Sequence, residues 1–177
     1  MITVAKLLER TRLLANDMGK TNYSDYEITV AIESSCDVLC EFFKKYASPE
    51  IVRRTLIDIV GGEATLPEGF LNVVNVEDIN GNQIFSYYES YDLPDGCYRI
   101  EGNKIYSSED QINLIYMKKP FNATNIDISE GFLIYIASAS ANFLRGENDA
   151  AYMKLEDAVI KNNQDKRGVI PDPMMWA

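Results

Sequence analysis

The segment 51–117 carries strand and turn signals, and segments with helical periodicity lie on both sides of it. Asn80-Gly81 and Gly102-Asn103 each place residues that tolerate positive φ at the centre of a tight turn, which is typical of β-hairpins. The run Ile112–Met117 predicts a further strand before Pro120. These signals predict a small antiparallel β-meander inserted into an otherwise helical chain.

Two helices are predicted before the β-segment, over 3–18 and 24–46. The first has apolar residues at three- and four-residue steps, with Arg12 expected on its polar side. Ser24 and Glu27 form a capping-box pattern at the start of the second helix. The short polar connection predicts a helical hairpin.

Two more helices are predicted after the β-segment, over 129–145 and 147–166. The first contains the small residues Ala137, Ser138, Ser140 and Ala141, which allow another helix to approach closely. Residues 168–177 form a tail in which two prolines exclude a regular helix. This tail either folds back on its own core or docks on a partner through its methionines and tryptophan.

The predicted fold class is therefore α+β: a mostly helical bundle of two N-terminal and two C-terminal helices, with a central antiparallel β-insertion and an extended C-terminal tail. A chain of 177 residues can form one domain, predicted over 1–167, with its own core. The net charge of −10 argues against a DNA-binding or anionic membrane-binding surface. Cys36 and Cys40 are one helical turn apart, and we expect them to be buried thiols.

The chain lacks the residues that most catalytic and metal sites use. It contains no histidine, and neither a phosphate-binding glycine loop nor a nucleophile-elbow motif occurs. Neighbouring acids such as Glu156 and Asp157 leave carboxylate-dependent hydrolysis as a weaker alternative. We expect no enzymatic activity, no metal and no cofactor. The tyrosines of the β-segment favour either protein interfaces or half-buried strands.

Two stretches resemble the head-to-tail adaptor proteins of short-tailed bacteriophages, of the tail tubular protein A type. They are YRIEGNKIYSSEDQINLIYMKKP, residues 98–120, and GFLIYIASASANFLRGENDAAYMKLEDAVIKNNQDKR, residues 131–167. The family similarly has a glycine-turn hairpin, a strand ending in tyrosine, an alanine-rich helix and a last charged helix.

The resemblance implies a non-enzymatic structural protein of the virion, assembled in the host cytoplasm into a dodecameric ring. This ring would connect the portal protein to the tail nozzle or the next ring protein. Genomic DNA would pass through its acidic lumen during ejection without specific binding. The implied portal-docking residues are Ile170, Pro171, Pro173, Met174, Met175 and Trp176, and the implied tail-side residues are Tyr98, Tyr106 and Tyr116. The alternative is a soluble acidic protein–protein interaction module without a virion role.

Overall fold

The helices form where apolar residues repeat at helical spacing. The computed structural model describes residues 2–88, 93–120 and 125–167. In these residues the helices are α1 (Val4–Leu14), α2 (Asp25–Lys45), α3 (Leu133–Leu144) and α4 (Asn148–Arg167). The helix predicted over 3–18 ends earlier, at Leu14, because Asn16 adopts a positive φ of 57° in the loop that follows. The helix predicted from 129 begins at Leu133, after a 3-10 turn over Glu130–Phe132.

The N-terminus of α2 has the predicted capping box. The Ser24 hydroxyl accepts a hydrogen bond from the Glu27 amide at 3.2 Å, and the Glu27 carboxylate accepts one from the Ser24 amide at 2.7 Å. Two amide groups that lack intrahelical acceptors are thereby satisfied. The local sequence therefore specifies where this helix begins.

The chain divides into two compact units. The helical unit comprises Met1–Glu50 and Pro120–Ala177, and the β-unit comprises Ile51–Lys119. In the helical unit α2 packs on α3, and both α1 and α4 pack on this pair. Two short strands, β1 (Ile2–Thr3) and β9 (Asn125–Ile126), also pair there, a feature that the sequence did not indicate.

The contact between α2 and α3 uses the small residues that the sequence singled out. The Ser35 and Ser140 hydroxyl oxygens lie 2.9 Å apart, and both side chains are buried. Each hydroxyl oxygen is also 2.8 Å from a carbonyl oxygen of its own helix, at Ala31 and Ile136, so one hydroxyl can donate to its own helix while the other donates across the contact. Ala137 and Ala141 are buried in the same unit. Small side chains thus allow close packing while these buried hydroxyl groups remain hydrogen-bonded.

The β-unit contains two sheets. A three-stranded sheet has the order β2 (Val52–Asp58), β8 (Gln111–Lys118), β4 (Phe70–Glu77). A four-stranded sheet has the order β3 (Glu63–Thr65), β7 (Lys104–Ser107), β6 (Cys97–Glu101), β5 (Phe85–Ser86). An apolar cluster of buried side chains in this unit includes Ile105, Ile112 and Leu114.

The arrangement of the strands differs from the predicted meander. The last strand, β8, lies between β2 and β4, so its partners are distant in sequence. Strand β5 pairs with β6 in parallel, which corrects the expectation of an entirely antiparallel insertion. The two-residue turn at Gly102-Asn103 is confirmed, with Ile100 opposite Ile105. The Asn80-Gly81 turn also forms, but only one bridge, Glu77 to Gln83, closes it before the chain joins the other sheet.

Candidate protein-interaction surfaces

The predicted portal-docking residues all belong to the C-terminal tail. Residues 168–177 lie outside the described part of the chain. The predicted docking role therefore stays a prediction for Ile170, Pro171, Pro173, Met174, Met175 and Trp176.

The three tyrosines predicted for the tail-side interface occupy different environments. Tyr116 lies on β8, is only 4% exposed and stacks on Phe70 with ring centroids 5.8 Å apart. It is a core residue, so the expectation that its ring lies at the surface is corrected. Tyr98 on β6 is half-buried and packs against the same core, and burial raises the pKa of its hydroxyl. Tyr106 on β7 lies under the guanidinium of Arg99, 5.2 Å from its ring centroid.

Exposed apolar side chains of the β-unit lie at other positions than the predicted ones. Phe85 is on β5, an edge strand of the four-stranded sheet, and it is exposed. Tyr88 follows a few residues later and is also exposed. Electrostatic interaction with Tyr88 adds to the effect of burial in raising the pKa of Tyr98. Strand β5 contains only Phe85 and Ser86, which is too short for an alternating pattern to be recognised in the sequence.

The helical unit has an open apolar groove, here called the α2 groove. Its volume is about 610 Å³, and its lining includes Tyr26, Val30, Val38, Phe143, Leu144 and Tyr152. The ring of Tyr152 makes edge-to-face contacts with Phe143 and Phe42, at centroid distances of 5.9 and 6.5 Å. These contacts hold one aromatic wall of the groove in place.

A buried ion pair between α1 and the following loop is the main feature that the sequence analysis missed. Arg12, predicted on the polar side, is only 4% exposed. Its guanidinium donates to the carboxylate of buried Asp17 at 2.8 Å and to the Tyr23 carbonyl at 3.1 Å. Asp25, at the first turn of α2, accepts a further hydrogen bond from Arg12. Arg12 thus links the end of α1 to the start of α2.

Asp17 organises the loop between α1 and α2. Its carboxylate accepts hydrogen bonds from the amides of Thr21 and Asn22, each at 2.9 Å, and of Tyr23 at 3.2 Å. The Asn22 amide makes the largest contribution to lowering the pKa of Asp17, and Arg12 also contributes. Burial opposes this effect, but the net shift is downward, so the carboxylate is held in its ionised form.

We expect the stability of the protein to fall in acid because of Asp17. The unfolded carboxyl titrates near 3.8, and the folded pKa is lower. The stabilisation is therefore complete above the unfolded pKa and is lost as the pH falls through the folded pKa. The test is the unfolding free energy in urea between about pH 6 and about pH 2.5. Asp17→Asn should make the unfolding free energy depend less on pH. Asp149→Asn, at an exposed position on α4, should leave this dependence unchanged. Equal slopes in the unsubstituted protein and both variants would contradict the assignment.

Glu156, one of the two neighbouring acids considered for hydrolysis, is engaged in contacts between helices. Glu156 on α4 accepts a hydrogen bond from Lys45 at 2.7 Å and another from the Tyr46 hydroxyl. The Lys45 ammonium contributes most to lowering the pKa of Glu156, which disfavours a proton-donating role for this carboxyl. Cys36 and Cys40 are buried, as expected. Within the described ranges, no group of three or more His, Cys, Asp or Glu side chains is placed to hold a metal ion.

No protein-family model matches the sequence, and a search of curated proteins found no significant match. Among the helices that the structure describes, none is both long and apolar enough to cross a membrane.

Proposed function

We propose that this chain is a ring-forming connector between the portal and the tail of a short-tailed bacteriophage. The observation that carries the proposal is which helices pack together in the helical unit. Its N-terminal helices α1 and α2 pack with the C-terminal helices α3 and α4, and residues 51–119 form a separate β-unit between them in sequence. This order supports part of the finer architecture that the resemblance implies, a helical bundle with a β-insertion.

The surface chemistry supports a structural role in which DNA passes without binding. The chain has 27 acidic and 17 basic residues. Several of the basic groups are already paired with acids: Lys45 with Glu156, Arg54 with Glu77 and Lys104 with Glu63. A ring of such subunits has an acidic surface, which repels the phosphate backbone instead of retaining it.

The exposed edge of the β-unit supports contact with a further tail component. Phe85 on β5 and Tyr88 shortly after it supply exposed aromatic area, and aromatic side chains are favoured at protein interfaces. This edge is our candidate for the tail-side interface, and half-buried Tyr98 on β6 and Tyr106 on β7 remain proposed members of it from the resemblance. Tyr116 is left out because its side chain is in the core.

The proposal is tested with the portal protein encoded by the same genome. Full-length chain and a version that ends at Gly168 are each mixed with purified portal rings and imaged by cryo-electron microscopy. We expect a second ring on the portal with the full-length chain and bare portals with the shortened chain, because the tail supplies the apolar anchor. A version with residues 170–176 replaced by glycine and serine controls for tail length, and it should also leave the portals bare.

Bare portals with the full-length chain would contradict the connector role. The protein would then be better described as an acidic interaction module, to be tested through partners that bind its exposed edge or the α2 groove. A ring that forms with all three versions would support the connector role but would contradict the tail as its anchor.

A further inference from the structure

A second pocket of the helical unit lies where the last turns of α4 meet the start of α3, and it is here called the α4 pocket. Its volume is about 210 Å³. Its lining includes an apolar part and a polar part: Phe132, Tyr135 and Ala158, and Lys161, Asn162 and Asp165. A cavity of about 150 Å³ can hold a benzene molecule, so the α4 pocket has room for one or two aliphatic side chains.

One polar group in the wall of the α4 pocket lacks a partner. The side-chain nitrogen Nδ2 of Asn162 is buried and has no hydrogen bond with any other described residue. Most buried side-chain polar atoms in native proteins are hydrogen-bonded, because a buried donor without an acceptor loses its bonds to water without replacement. The pocket therefore fits an occupant that supplies both apolar side chains and an acceptor such as a backbone carbonyl, which is what a peptide segment offers.

The C-terminal tail begins beside this pocket. Helix α4 ends at Arg167, and residues 168–177 follow it outside the described part of the chain. An α-helix rises by about 1.5 Å per residue, so Asn162 lies only about 7.5 Å from Arg167 along the axis of α4. Tyr152 in the α2 groove lies about 22 Å from Arg167 on the same scale. The α4 pocket is therefore the cavity that the first residues of the tail can reach.

The first tail residues have a sequence that favours a return along α4. Gly168 directly follows the helix, and a glycine at this position commonly adopts a positive φ that reverses the chain, with an apolar residue next to it that contacts the last helical turn. Pro171 favours an extended backbone at Ile170. At about 3.3 Å per extended residue, Val169 and Ile170 would reach about 7 and about 10 Å back along α4, which is the level of the α4 pocket.

We propose that Val169 and Ile170 occupy the α4 pocket of their own chain, and that a backbone carbonyl of this segment accepts a hydrogen bond from Nδ2 of Asn162. The base of the tail is then fixed to the helical unit, and residues 173–176 remain available to a partner. Ile170, which the resemblance assigns to the portal, is thereby assigned to its own chain. The role of residues 173–176 rests on the proposed function, whereas the occupation of the pocket does not.

The first test is disulfide trapping within the full-length chain. The background is Cys97→Ser, since the other two cysteines are buried. One variant adds Ile170→Cys and Lys161→Cys, and the control adds Ile170→Cys and Gln164→Cys; both α4 positions are exposed, but only Lys161 lines the pocket. Cysteine is itself a small apolar side chain, so Ile170→Cys keeps part of the contact. We expect the 161–170 pair to close several-fold faster, although Gln164 is nearer in sequence.

The second test asks whether the Asn162 amide and the tail segment depend on each other. Asn162→Ala is made in the unsubstituted chain and in a chain of equal length that carries Val169→Ser and Ile170→Ser. In the unsubstituted chain we expect it to lower the Tm by about 2 to 4 °C, because it removes one buried hydrogen bond. In the serine variant we expect no change, because the amide has already lost its acceptor. Circular dichroism gives the Tm of all four proteins.

Equal rates for the 161–170 and 164–170 pairs would overturn the inference, and so would disulfide-linked dimers in place of closure within one chain. The same effect of Asn162→Ala in both backgrounds would overturn the hydrogen bond to the tail. These results are separable from the portal experiment, because both tests use the free chain. A ring on the portal with equal closure rates would contradict only the occupation of the pocket, and fast closure without portal binding would contradict only the connector role.

Discussion

Replacing Arg12 by alanine is expected to destabilise the helical unit by about 3 kcal/mol, because removing one member of a buried ion pair leaves the other charge without compensation. In this chain the remaining charge is the Asp17 carboxylate, whose side chain is fully buried and cannot be solvated by water. The substitution also removes the hydrogen bonds from the guanidinium to the Tyr23 carbonyl and to Asp25. Of this hydrogen-bonded link between α1 and α2, only the bonds from backbone amides to Asp17 then remain.

The measurement is thermal unfolding followed by circular dichroism. For a chain of this length the expected loss corresponds to a decrease in Tm of about 6 to 12 °C. Arg10→Ala is the matched control, because it removes the same side chain from the same helix at an exposed position. We expect it to change the stability by less than about 0.5 kcal/mol. Equal effects of the two substitutions would show that Arg12 has no special role in joining the helices.

Replacing Leu114 by alanine is expected to destabilise the β-unit by about 3 kcal/mol. Leu114 is fully buried on the central strand β8, opposite Thr55 on β2 and Val76 on β4. Truncating a buried leucine loses its transfer free energy and leaves a cavity, and the cost is about 2 to 5 kcal/mol. The cavity would lie at β8, which is hydrogen-bonded to β2 on one side and to β4 on the other, so the neighbouring strands can relax only partially.

Leu56→Ala is the control for this substitution. Leu56 lies on β2 of the same sheet but is 56% exposed, and it pairs with Asn113, the residue before Leu114. Successive residues of a strand point to opposite faces, so the two leucines occupy opposite faces of one sheet. Urea unfolding should show a large loss for Leu114→Ala and a loss of less than about 1 kcal/mol for Leu56→Ala. Hydrogen exchange within residues 51–119 should locate the change, and similar losses for both would contradict the assigned faces.

The features that were predictable from sequence are those that neighbouring residues specify. The Ser24–Glu27 capping box involves two residues one helical turn apart, and the Gly102-Asn103 turn requires only that the backbone can adopt a positive φ, as it does at Gly102. The burial of Ala137, Ser140 and Ala141 follows from helical periodicity together with side-chain size. The predicted ends of the helices were less accurate than their locations, because helices end in loops whose conformation depends on distant contacts.

The features of the candidate surfaces and of the buried ion pair were less accessible to sequence reasoning. Arg12 was predicted on the polar side of its helix because helical periodicity places it off the apolar face, and its burial depends on Asp17, which lies in a loop with no periodic pattern. The α2 groove requires residues from α2, α3 and α4 to meet, and their order in sequence does not say which helix faces which. Tyr116 has the same residue type as exposed Tyr88, and only its position on the central strand separates them.

By itself the sequence determined the α+β class, the location of the helices and the tight turns, because these depend on interactions within a few residues. The tertiary structure alone decided that β8 lies between β2 and β4, that β5 pairs in parallel with β6, and that Arg12 is buried against Asp17. Those outcomes depend on which segments, distant in sequence, pack against each other and bury their side chains. Strand periodicity indicates which face is buried but not which strand lies alongside, and a charged side chain becomes a core residue only when the fold supplies its partner.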